Sequence, residues 1–260
     1  MNILVCIKEV PAGDMQIRID GSGRWIETGS DDDYVMNRFD EFALEEAVRI
    51  KEHFAETTVE VLSVGPERCR AVIRRALAKG ADSGIHLQDP APGCPSAGEV
   101  AAAIAGFCQT RAYDLILTGV ISEDLMQGLT GPLLAAQLKV PCAAAVIHQR
   151  IDPDRGTVLA ACELESGWTE EISLMLPALL TIQSGINRPR YPSLSNMMRS
   201  RRQKLTTLPF DTPAGVENEP RITALSEPAA SSGARFFEGT LEEKAGALLD
   251  LLIEKGVLIT

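Results

Sequence analysis

Asn37-Arg38-Phe39-Asp40-Glu41-Phe42-Ala43-Leu44-Glu45-Glu46-Ala47-Val48-Arg49-Ile50-Lys51 reads as one amphipathic helix with a clearly written start. Asn37 and Asp40 can each accept a backbone N–H at a helix start, and Glu41 puts negative charge in the first turn, where the dipole favours it. Ala43, Leu44, Ala47, Val48 and, further on, Phe54 recur at helical spacing and form one apolar face. Glu45, Glu46, Arg49 and Glu52 fall opposite and are expected to be solvated. An apolar run at 3–7 precedes the block, and a second at 59–64, closed by Gly65-Pro66, follows it. A helix between two short buried strands predicts a parallel sheet flanked by helices.

The alternation continues outward. A helix is expected over about 67–79 with Gly80 as its C-cap, then a strand around Ile85-His86-Leu87. The segment Asp89-Pro90-Ala91-Pro92-Gly93-Cys94-Pro95 cannot be regular, because its prolines fix φ and remove donors. An Ala-rich helix from 97 to about 109 leads to the buried strand Asp114-Leu115-Ile116-Leu117-Thr118-Gly119, and Thr130-Gly131-Pro132 opens the next helix. From Pro141 the pattern becomes antiparallel over 142–148, 158–164 and 171–176, before one more apolar strand at 176–182. Beyond Leu208 no period is convincing until an amphipathic helix at 241–254. The expected fold is therefore α/β: an open, mainly parallel sheet flanked by helices, with antiparallel additions and a C-terminal arm. The domain occupies 1–205, and the arm, 206–260, packs on another surface.

Net charge is −11 in 260 residues, which disfavours nucleic acid or an anionic membrane surface as a general partner. The six cysteines show no C-x-x-C pair and no zinc or disulfide spacing, so free thiols in a reducing cytoplasm are expected. The first residues read as a strand rather than a signal peptide. No apolar stretch reaches the roughly 18 to 20 residues that span a bilayer, so direct membrane insertion is not expected.

Ligands of such a sheet sit beyond the carboxyl ends of its strands. Three ends carry suitable groups: Cys6 to Lys8, Ser63 to Pro66, and the loop after Gly119 with Ser122, Glu123, Asp124, Gln127 and Gly128. The run Gln127-Gly128-Leu129-Thr130-Gly131 is either a phosphate cradle at a helix start or an ordinary loop-to-helix junction. It is no Walker loop, and G-x-G-x-x-G does not follow the first strand. His53, His86 and His148 read as structural or exposed, and no catalytic constellation emerges, so a bound cofactor must carry any redox reaction. Arg199, Arg201, Arg202 and Lys204 form a basic cluster that is either a solvated helix face or a docking patch beside Leu194.

Val5-Cys6-Ile7-Lys8-Glu9-Val10-Pro11, the Asn37 to Lys51 block, Ser63-Val64-Gly65-Pro66, Ala76-Leu77-Ala78-Lys79-Gly80-Ala81-Asp82 and Asn187-Arg188-Pro189-Arg190-Tyr191-Pro192-Ser193-Leu194 together resemble the electron transfer flavoprotein β subunit in order and spacing. The resemblance implies that the α/β fold is of the adenine-nucleotide-binding type, and that the protein is a heterodimer with an α subunit, onto which the arm packs, with FAD at the interface and AMP in this chain. By position, the AMP wall would comprise Cys6, Asn37, Arg38, Phe39, Asp40 and Val64, with Asp124, Gln127, Gly128, Thr130 and Gly131 from the loop. The stretch 185–204 matches the recognition loop, with Leu194 as anchor and Tyr191, Met197, Met198, Arg199 and Arg202 beside it. Acyl-CoA dehydrogenase-type enzymes and a quinone oxidoreductase acceptor would be the redox partners. Where relatives read Asp-Gly-Asp-Thr-Ala-Gln-Val-Gly-Pro, this chain has Asp124-Leu125-Met126-Gln127-Gly128-Leu129-Thr130-Gly131-Pro132. Two alternatives are a subunit with a second FAD in place of AMP that bifurcates electrons from NADH, and an adenine-nucleotide sensor without redox chemistry.

Overall fold

A computed structural model describes residues 1–27, 33–89, 95–210, 220–228, 233–234 and 236–258. The chain divides into two compact units, Met1–Leu225 and Ser226–Thr260. Most of the proline-rich segment at 89–95, including Cys94, lies outside the described residues.

The first unit is built on β1 (Asn2–Cys6), β4 (Thr58–Gly65), β5 (Ser83–Gln88), β6 (Leu115–Gly119) and β10 (Ala178–Ile182), all parallel. A small antiparallel hairpin, β2 (Glu9–Pro11) with β3 (Tyr34–Met36), joins β1 to helix α1 (Arg38–His53). Glu9 anchors that hairpin through an ion pair to Arg68 at 2.8 Å, and the Arg68 guanidinium stacks on the Tyr34 ring. Helices α2 (Arg70–Lys79), α3 (Ala97–Cys108) and α4 (Thr130–Leu138) alternate with the strands as expected. Gly80 ends α2 at φ +134°, a backbone conformation that a side chain would strain.

The wing consists of β7 (Cys142–Asp152), β8 (Thr157–Glu163) and β9 (Thr169–Met175), an antiparallel meander. Strand β10 lies between β6 and β7 and is parallel to both. One further strand, β11 (Leu205–Pro209), pairs in parallel with β5, so the full order is β11-β5-β4-β1-β6-β10-β7-β8-β9. The sequence reading ends the domain at residue 205, whereas β11 carries the sheet beyond it and the compact unit runs to Leu225. Five residues read as Leu-Thr-Thr-Leu-Pro after a basic run give little local strand signal; sheet pairing holds them.

Period-two burial separates two apolar layers. Ile3, Val5, Val59, Val61, Leu115 and Leu117 pack with α1 and α2, while Leu4, Leu62, Ile85, Ile116 and Leu179 pack with α3 and α4. At about 1.5 to 3 kcal/mol for each fully buried aliphatic side chain, these two layers dominate the folding energetics. Every residue of β10 is buried.

Two expectations about α1 are corrected. Asn37 is the N-cap residue by position, but its side chain makes no cap bond. Glu45 and Glu46 are not solvated; they are only 7% and 5% exposed. The segment at 187–190 lies over them and supplies the polar partners that a buried carboxylate requires.

In the second unit, α6 (Leu241–Glu254) begins with a capping box in which the Thr240 hydroxyl accepts from Glu243 N–H and the Glu243 carboxylate accepts from Thr240 N–H. None of its residues is buried.

Candidate functional site

The chain runs from β1 to β4 and β5 on one side and to β6 and β10 on the other, so the strand order reverses between β1 and β6. Beyond the carboxyl ends of the strands, such a switch point is where open α/β sheets hold ligands. The start of α1 borders it. Asp40, buried, accepts Lys8 N–H from the end of β1 at 2.6 Å and Gly119 N–H from the end of β6 at 2.9 Å. Its carboxylate therefore ties together the two strands that diverge at the switch point. Burial pushes the Asp40 carboxyl up to about 7, against the opposing pull of the Lys8, Asn37 and Gly119 hydrogen bonds and the Lys8 charge.

The Asn37 amide binds the loop after β6 instead of capping the backbone of its own helix. It donates to Ile121 C=O at 2.9 Å and accepts from Glu123 N–H at 3.1 Å. In return, the Glu123 carboxylate accepts from Arg38 N–H at 2.9 Å, filling the role at the first turn of α1 that the sequence assigns to Asn37. Lys8 Nζ reaches the same loop, pairing with Asp124 at 2.7 Å. Lys8, Gly119 and Glu123, which the sequence places at ligand-bearing strand ends but not in the nucleotide wall itself, are thus structural members of the site. The available signal was their place at two strand ends and in the loop between.

Gly119 has no room for a side chain: a Cβ would strike Asp40 Oδ1 and come within 2.9 Å of the Phe39 backbone carbon. Gly131 is similarly enclosed by Thr181 and Thr118 at 2.7 and 2.8 Å, so α4 starts close against β6 and β10. Leu129 precedes that helix, whose first turn carries no acidic residue and no side-chain cap. Such a start suits an anion. Gln127 and Gly128 are exposed beside it, and Thr130 is half-buried.

The structure brings most of the expected site residues to this end of the sheet. Cys6 and Val64 sit at the ends of β1 and β4, on the α3 side of the sheet. The Cys6 thiol is buried and its pKa is held well above the ordinary value, chiefly by burial and then by Cys108 and Asp40, so it acts as a small apolar wall rather than a nucleophile. Arg38 is exposed and Phe39 half-buried at the rim. The described cysteines are free thiols, no cluster of described residues could hold a metal ion, and no described helix is long and apolar enough to cross a membrane.

The second group of expected residues lies elsewhere, on the 187–202 stretch and α5 (Leu194–Ser200). Tyr191 is 96% exposed, Leu194 80% and Met198 70%, with Met197, Arg199 and Arg202 also exposed. Large apolar side chains displayed beside cations on one short helix have the character of a docking patch.

An electron transfer flavoprotein domain matches residues 27–213. The chain is 33% identical to the electron transfer flavoprotein subunit beta of Methylophilus methylotrophus, with 98% of each chain covered. It is 29% identical to the corresponding subunit of Bacillus subtilis over the whole of both chains. The chain belongs to the electron transfer flavoprotein β-subunit family. It is also 31% identical to the caffeyl-CoA reductase-Etf complex subunit CarD of Acetobacterium woodii, with 99% of this chain and all of that one covered.

For an electron transfer flavoprotein β subunit, an α-subunit partner is implied, and the work is electron transfer in association with a flavin. This end of the sheet carries features that suit an adenine nucleotide: it is the switch point, the uncapped α4 start suits a phosphate, and Cys6 and Val64 present apolar groups at the neighbouring strand ends. The polar atoms of Asn37 and Asp40 are engaged in holding the loops, which makes these residues builders of the site's shape.

Proposed function

We propose that this chain is the β subunit of a heterodimeric carrier that takes electrons from acyl-CoA dehydrogenase-type enzymes and passes them to a quinone-reducing acceptor. FAD at the interface with the α subunit supplies the electron-carrying group when bound, and AMP would sit beyond the carboxyl ends of β1 and β6. Lys8, Asn37, Asp40 and Glu123 fix the two loops around that nucleotide, and the first turn of α4 receives its phosphate. The observation that carries the reading is the exposed set Tyr191, Leu194 and Met198 beside Arg199 and Arg202 on a chain of net charge −11. A cationic rim on an otherwise acidic protein orients an acidic partner surface, and the leucine fills its pocket.

A second reading is favoured by the likeness to a subunit of a caffeyl-CoA reductase complex and by the altered loop at 124–131. In it, a second FAD replaces AMP and the heterodimer bifurcates electrons from NADH. Purification with the α subunit, followed by denaturation and measurement of released nucleotides, separates the two. One FAD and one AMP per heterodimer are expected; two FAD and no AMP would establish the second reading, and absence of flavin would overturn both. Leu194→Ala is expected to slow electron exchange with the dehydrogenase about 10- to 30-fold, as for a central interface anchor, with flavin content unchanged. Wild-type exchange in that variant would remove the docking role.

A further inference from the structure

The 187–202 stretch is fastened at both ends. At its start, Arg190 places its guanidinium between two carboxylates of α1, meeting Glu45 at 2.9 Å and Glu52 at 2.5 Å, while its backbone N–H donates to Glu45 at 3.0 Å. Asn187 donates to Glu46 at 2.9 Å and to Phe42 C=O at 3.0 Å, and Gln149 of β7 donates to the other Glu46 oxygen at 2.9 Å. At its end, Arg74 of α2 donates to Ser200 C=O at 2.5 Å and Gln203 C=O at 2.8 Å, and Gln203 donates to Ala81 C=O at 2.8 Å. Tyr191, Leu194 and Met198 project from the span between these anchors.

Such fastening is not needed for the core. Glu45 and Glu46 occupy helix positions where an apolar side chain would bury at less cost than an ion pair. What the carboxylates supply is direction: a guanidinium gripped by two forks has one orientation, and the backbone N–H bond fixes the residue that carries it. Resting on the docking reading above, we infer that Glu45 and Arg190 are positioning residues for electron exchange. They hold the docking stretch in its partner-ready pose before encounter, so that little ordering entropy is lost on binding.

The test uses the α/β heterodimer with an acyl-CoA dehydrogenase as electron donor, and the variants Glu45→Gln, Arg190→Lys, Leu194→Ala and Glu45→Gln/Leu194→Ala. Glu45→Gln keeps the shape and loses the charge; Arg190→Lys keeps the charge and loses the fork. Each is expected to lower kcat/KM about 5- to 10-fold, mainly through KM, for a misplaced contact surface. Amide hydrogen exchange over 190–198 should quicken about 10-fold. In the Leu194→Ala background, Glu45→Gln should change the rate less than about 2-fold, because residues acting through one contact are not additive. Slowed exchange in Leu194→Ala beside wild-type rates in Glu45→Gln and Arg190→Lys would overturn this inference alone, as would full additivity in the double variant. Wild-type rates in Leu194→Ala would overturn the docking reading and this inference together.

Discussion

Asp40→Ala is expected to lower the stability of the β subunit in the heterodimer by about 2 to 3 kcal/mol, since it orphans two part-buried backbone donors at about 1 to 3 kcal/mol each when desolvated. Those donors, Lys8 N–H and Gly119 N–H, lie at the ends of the two strands that diverge at the switch point. Nucleotide retention should fall with stability, because the Asn37–Glu123 loop contacts rest on the same helix start. Asp40→Asn keeps one acceptor and presents an amide N–H to the other donor, so about half the loss is expected. The pH dependence distinguishes the carboxyl itself. Burial raises the Asp40 pKa from 3.8 in an open chain to about 7 in the fold. Between those values the native chain holds a proton that the unfolded chain has released. The contribution of Asp40 to stability therefore falls as pH rises through that window, by up to about 1.4 kcal/mol per pH unit, and is level above it. Urea unfolding at pH 5, 6, 7 and 8 should show the wild-type advantage over Asp40→Asn shrinking as pH rises toward 7. A constant difference would mean that Asp40 is ionised throughout.

Deleting residues 236–260 is expected to weaken association with the α subunit at least about 100-fold, equivalent to nearly 3 kcal/mol. Helix α6 is 14 residues long and well capped, with Leu248 46% and Leu249 50% exposed, Ile253 exposed and Leu252 half-buried. An isolated helix of that length is marginal in water, and an apolar stripe on it calls for a surface to lie against. Covering the remaining area of four aliphatic side chains at about 1 kcal/mol each supplies the energy, less the ordering of the arm. Titration calorimetry of the truncated chain against purified α subunit reads the effect directly. Association at full-length affinity would exclude the arm from the interface.

The sheet and its helices were legible because each element announces itself locally. The apolar spacing of Ala43, Leu44, Ala47 and Val48 survives into the core, and the run at 115–119 is a buried strand. The strand ends that meet at the switch point were legible from the β-α alternation. What local signals could not show is which polar groups meet across the fold. Glu45 and Glu46 look solvated on a helical wheel, and only the return of the chain at 187–190 encloses them. Asn37 looks like a cap, yet its amide is recruited by residues 121 and 123 while Glu123 serves the helix. Strand β11 has weak propensity and exists through its pairing with β5. In each case the missing information was a contact between residues far apart in sequence.

Strand β10 has a mechanical meaning. Among the described residues, β10 alone joins the meander β7-β8-β9 to the parallel sheet by strand pairing. Any pull on the wing is thus shared along a load path five residues wide. One side of that path is β6, where Ile182 is in register with Gly119 and its carbonyl accepts from Val120 N–H at 3.0 Å. Beyond Ile182 the chain runs directly into the stretch that Glu45 and Arg190 hold. Force applied to the wing therefore arrives first at the loop that follows β6 and at the root of the 187–202 stretch.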